Sequence, residues 1–162
     1  MRKGFAVAAG ILILAAVNWT IHTRERHLAE GRVVLLELAP VDPRSLMQGD
    51  YMALRFRLEN DISGGRRDLP DGRVVVLLDE RGIGQFVRRD DGSALADREV
   101  ALRYRVRAGR VKFATNAFFF EEGRAEDYAR ARFGEFRVAR SGDLLLAGLR
   151  GSDTERLGRP SR

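Results

Sequence analysis

At 162 residues the chain has room for one modest core, and with no cysteine it excludes a disulfide framework and a thiolate metal centre. Its 44% hydrophobic and 32% charged residues exclude an intrinsically disordered chain. The net charge of +6, carried by basic residues that are all arginine apart from Lys3 and Lys112, favours an anionic partner: a membrane surface, nucleic acid or an acidic protein.

Met1-Arg2-Lys3 is a short basic start. The apolar run from Gly4 to Ile21 counts 18 residues, close to the ~20 that a helix needs to cross a bilayer. Trp19 falls where an amphipathic ring meets the far interface. No clean small-x-small site follows the apolar core, and Val17-Asn18-Trp19 is a poor cleavage context, so the run reads as an uncleaved signal-anchor rather than a removed signal peptide. The expected layout is residues 1–3 cytoplasmic, 4–21 a single transmembrane helix, 22–31 a polar neck ended by Gly31, and an extracytoplasmic domain over 32–150. That address removes nucleic acid as a partner.

Val33 to Leu38 reads as a first strand, which Pro40 and Pro43 stop. Asp42-Pro43 is a helix start, giving one turn over Arg44 to Gln48 closed by Gly49. Gly49-Asp50 is a turn. From Tyr51 to Leu58 the chain alternates, with Met52, Leu54, Phe56 and Leu58 on one side and Tyr51, Ala53, Arg55 and Arg57 on the other. Asn60 to Gly72 has loop composition. Val74 to Leu78 and Ile83 to Val87 form a strand pair across the turn Asp79 to Gly82, and a second polar loop covers Arg88 to Asp97.

Val100 to Phe113 is the clearest hairpin, turned by Ala108-Gly109. One face is apolar; the other carries Arg103, Arg105, Arg107, Arg110 and Lys112. Phe118 to Phe120 is assigned to core packing. Arg124 to Phe133 has helix composition and is stopped by Gly134. Glu135 to Ala139 and Leu144 to Leu149 form a last hairpin, and the tail over 151–162 is expected to be disordered. Eight strands and one helix make a mainly β protein: a single antiparallel β-barrel or curled β-sheet domain with one packed helix, preceded by the transmembrane helix.

Gly49-Asp50-Tyr51, Leu54 and Phe56 resemble the motif after which the bacterial GDYXXLXY proteins are named, with Phe56 in place of the final Tyr. Val41-Asp42-Pro43-Arg44-Ser45-Leu46-Met47 is similar to that family's approach to the motif. So are Phe120-Glu121-Glu122-Gly123, Tyr128, Arg132-Phe133-Gly134-Glu135 and Val138. The resemblance implies a single-pass protein of the bacterial inner membrane with its C-terminal domain in the periplasm, and a polytopic membrane protein as partner. It implies no reaction and no cofactor.

The candidate binding residues are Asp50 and Tyr51 at the motif turn, Glu121 beside the expected helix, and Arg103, Arg105 and Arg107 on the basic hairpin face, which suits a membrane lipid surface or an acidic partner. One catalytic alternative stands beside this reading. Ser45-Leu46-Met47-Gln48-Gly49-Asp50 resembles the serine/lysine peptidases of the signal-peptidase type, with Ser45 as nucleophile and Lys112 as a base that burial would have to deprotonate. A third class is an envelope ligand-binding module using the mouth of the β-domain, with no small molecule assignable. His22 and His27 lie five apart and miss the i, i+4 spacing of two ligands on one helix face, and no metal site is expected.

Overall fold

The computed structural model describes residues 2–39, 47–48, 51–66, 68–115 and 117–158, with backbone alone at 2–8 and 47–48. Of the turn of helix expected over Arg44 to Gln48, residues 44–46 lie outside the described residues and Met47–Gln48 is strand instead, paired with Met52 and Tyr51; Ser45 and Asp50 also lie outside the described residues.

The chain opens with helix α1, Arg2–Glu30. Ile11, Leu12, Ile13, Leu14, Val17, Trp19 and Ile21 follow one another around it, and all are exposed. Among the described residues no helix is long and apolar enough to cross a membrane; from Ala9 onward the apolar run gives way at His22 to Arg24, Glu25 and Arg26. The last turn of α1 is docked on the domain. His27 Nε2 donates to the Arg137 carbonyl at 2.9 Å, and the Gly31 N–H closes the helix on the His27 carbonyl at 3.0 Å. Gly31 is required by closeness, because a Cβ there would lie 2.5 Å from the His27 oxygen and 3.0 Å from the Arg137 Cβ.

The rest is mainly β, curled as a half-barrel. Strands β1 (Arg32–Glu37), β9 (Phe133–Val138) and β10 (Leu144–Arg150) form one antiparallel sheet in the order β1-β9-β10. Strands β4 (Gly72–Leu78), β5 (Gly84–Arg89), β6 (Glu99–Arg107) and β7 (Arg110–Lys112) form a second, in the order β5-β4-β6-β7. A small third sheet joins β2 (Met47–Gln48), β3 (Tyr51–Ala53) and β8 (Ala117–Phe119). Single bridges, Leu35 to Ile83 and Leu38 to Phe56, tie the edges together.

Alternation along these strands delivers Val34, Leu36, Met52, Leu54, Val74, Val76, Leu102, Phe136 and Leu149 to one shared core. Phe56 lies in it, 1% exposed, with its ring edge-on to Phe136 at 5.3 Å and Phe113 at 6.1 Å. Gly134 faces that ring: a Cβ at this position would meet Phe56 Cε1 at 2.8 Å. Its role is close packing inside β9, not the helix stop read from the sequence.

Three further expectations are corrected. The strand from Tyr51 ends at Ala53, and after an isolated bridge at Phe56 the chain turns into helix α2, Arg57–Ser63. Leu58 and Ile62, spaced i, i+4, bury one face of α2, Glu59 accepts the Phe56 N–H at 3.2 Å, and Gly64 closes the helix in the left-handed region at φ 51°. The helix expected over Arg124 to Phe133 is only α3, Ala125–Tyr128, because Phe133 is drawn into β9; Tyr128 still packs on Phe118 and Phe120, at 5.0 and 5.3 Å. The chain after Arg150 is also ordered up to Gly158, with Arg156 bridged to Arg150, the Leu157 N–H on the Leu149 carbonyl at 3.0 Å, and the Leu157 side chain buried.

Candidate functional site

The motif strand divides its residues between two tasks. Met52, Leu54 and Phe56 are buried as the alternation predicts. Tyr51 faces away, half-buried, and β3 pairs it directly with Phe119 of β8. The two rings lie 5.8 Å apart at 40°, and Phe119 is 73% exposed. The motif thus supports one aromatic pair open to solvent on one side.

The basic face of the hairpin keeps its predicted register. Leu102 and Tyr104 are buried while Arg103, Arg105 and Arg107 are exposed, and β7 sets Lys112 opposite Arg105 and Arg110 opposite Arg107. The five cations are not equivalent. Arg103 pairs with Asp143 at 3.2 Å and Arg107 with Asp71 at 3.4 Å. Asp71 Oδ1 also accepts the Val106 N–H at 2.6 Å. That hydrogen bond, helped by Arg107, holds the Asp71 carboxyl below the usual carboxylate range. Among the described residues, Arg105 and Lys112 have neither an ion pair nor a side-chain hydrogen bond.

This face forms one wall of a groove of about 900 Å³. Thr23, Arg24 and His27 of α1 form the opposite wall, and Phe113, Phe118, Leu144 and Leu146 give it an apolar lining. Asp143 is the one carboxylate among the described lining residues, and Arg103 pairs with it. Lys112 stands half-buried on the basic wall, a place where water reaches it, and Ser45 lies outside the described residues.

Glu121 is exposed in the turn before α3, 3.5 Å from the Arg124 guanidinium. Arg124 is shared: it also holds Asp127 at 2.5 Å, and that bond raises its already high proton affinity. Glu121 therefore sits in a local ionic turn away from the groove lining.

Sequence reasoning missed the buried charge of Glu135, the residue among the described charged ones that is buried as a whole. Glu135, 2% exposed in the middle of β9, is held by Arg150 at 2.7 Å, with Arg137 at 4.0 Å. The Arg150 guanidinium continues to the Thr154 carbonyl at 2.8 Å, tying two strands to the C-terminal segment. A buried carboxylate must be paired, and the signal for it was a lone Glu between Phe133 and Phe136. The partner assignments of Arg103 and Arg107 were beyond sequence reasoning, because Asp143 and Asp71 approach from separate loops.

Among known protein families, the chain matches the GDYXXLXY protein family over residues 13–149. No curated protein and no solved structure matches it.

Proposed function

The chain belongs to the GDYXXLXY protein family, and from that premise we propose that it is a membrane-anchored, outward-facing domain that works by binding a polytopic membrane protein. The observation that carries the anchor is α1. Its residues Ile11 to Leu14, Val17, Trp19 and Ile21 are large, apolar and exposed, and among the described residues Trp19 alone of them borders a cleft that β-domain residues also line. Together with the apolar residues from Gly4 onward they form the 18-residue run that ends at Ile21, near the ~20 that spans a bilayer. A helix apolar all round is buried somewhere, and here the bilayer is what remains to bury it. The basic Arg2 and Lys3 favour a cytoplasmic start, in the inner membrane of a bacterium.

The neck then fixes the domain close to the outer headgroups, since His27 and Gly31 bond directly to β9 and β-domain side chains flank the end of the helix. On that domain Tyr51 and Phe119 offer a rigid aromatic pair of the kind that anchors protein interfaces. The test replaces Phe119 with a photo-crosslinking residue in the full chain and irradiates native membranes. The expected product is an adduct to one multi-spanning protein, lost with Tyr51→Ala. Adducts to no protein, or to many without preference, would overturn the partner reading.

A further inference from the structure

We propose that the groove between α1 and the β6–β7 hairpin binds the phosphate headgroup of an anionic membrane phospholipid, with Arg105 and Lys112 as the anion-binding pair. Their arrangement asks for an anion. They face each other directly across the strand pair, where like charges repel. Their neighbours on the same wall have carboxylate partners, Arg103 with Asp143 and Arg107 with Asp71, whereas these two have none among the described residues. Each acts on a carboxylate through space without an ion pair, Lys112 on Glu59 of α2 and Arg105 on Asp71, and neither carboxylate is part of the groove lining.

The surroundings point to a lipid rather than a free ion. Phe113, Phe118 and Leu146 line the same groove and suit the glycerol and first methylenes of a chain entering beside the phosphate. The facing wall begins at Thr23 and Arg24, two and three residues past the end of the apolar run. At 1.5 Å per helical residue that is about 3–4.5 Å beyond it, towards the phosphate layer if α1 spans the bilayer. This placement rests on the anchor reading above.

The test uses the full chain in a neutral detergent, so that it reads the groove and not the anchor, which retention in alkali-washed membranes tests separately. Phosphatidylglycerol and phosphatidylcholine are added in turn and bound lipid is counted by native mass spectrometry. Preferential binding of phosphatidylglycerol is expected, weakened about fivefold by Lys112→Gln and about thirtyfold by Arg105→Gln with Lys112→Gln, at roughly one charge's worth of headgroup attraction each. Arg103→Gln, whose guanidinium is already paired, is expected to change binding less than twofold, about the scatter of a screened surface charge. Lys112→Gln gives up its attraction to Glu59 as well as its repulsion from Arg105, so its melting temperature should stay close to the parent's, which separates lost binding from lost folding; if the double variant does not fold, the single variant decides. Equal binding of the two lipids, equal loss with Arg103→Gln, or full displacement of lipid by inorganic phosphate alone would overturn the proposal.

Discussion

At the residue scale the motif's last aromatic position is a packing position. Phe56 fills the space between Phe113, Phe136 and the bare backbone of Gly134. Truncating it to Ala is expected to cost about 3–5 kcal/mol. Gly134→Ala pushes a methyl against the Phe56 ring and is expected to cost about 1–3 kcal/mol. Combining it with Phe56→Leu, which makes room, should cost less than the sum of the two single changes, as urea unfolding of the four chains measures. Glu59 makes a pH-dependent prediction. Burial pushes its carboxyl above the ordinary range, against the pull of the Phe56 N–H and of Lys112, Arg55 and Arg110. The folded state therefore holds this proton more tightly than the unfolded chain. The group's contribution is fully present below its unfolded pKa and is lost as pH rises through the folded one. Glu59→Gln, which keeps an oxygen for the Phe56 N–H, should gain a few tenths of a kcal/mol at neutral pH, about what a partly solvated group can supply. The gain should vanish in thermal melts taken at acidic pH.

At the element scale the C-terminal segment is a working part of the sheet. Leu157 is buried against it, and Leu157→Ala is expected to cost about 2 kcal/mol, measurable as a lower melting temperature; no change would restore the disordered tail read from composition. Period-two patterning was enough to read β6 and β7, where buried and open positions alternate, while β1, β4, β5, β9 and β10 were read from short runs of β-forming residues bounded by turns; β1, β4 and β9 each bury three residues in a row. Alternation misled at Leu54, Phe56 and Leu58, where the same three residues fit a strand and the approach to a helix. The i, i+4 pair Leu58 and Ile62, with Gly64 behind it, held the answer. The longer helix expected at Arg124 lost to tertiary pairing, because Phe133 to Val138 gains two strand neighbours in β1 and β10. The basic row of the site was legible from alternation alone. Which of its members are already neutralised was not, because ion pairs between distant loops leave no local pattern. The neck joint was hidden for the same reason: His27 meets Arg137 across 110 positions.

At the scale of the whole molecule, the proposed anchoring of α1 in a bilayer would hold the half-barrel close to that surface, because the end of the helix is bonded to β9. That constraint gives the aromatic pair and the basic groove their meaning, since both would then work against a partner within or beside the bilayer. The central claim is therefore the topology, and the absence of native cysteine allows a direct measurement. Single-cysteine chains Lys3→Cys and Glu122→Cys, the second at an exposed position, are expressed in bacterial cells whose outer barrier has been opened and treated with a membrane-impermeant maleimide. The expected result is labelling of Glu122→Cys in intact spheroplasts, labelling of Lys3→Cys only after lysis, and both chains in the membrane pellet after an alkaline wash. Release of the chain into the wash, or labelling of Lys3→Cys from outside, would contradict the account.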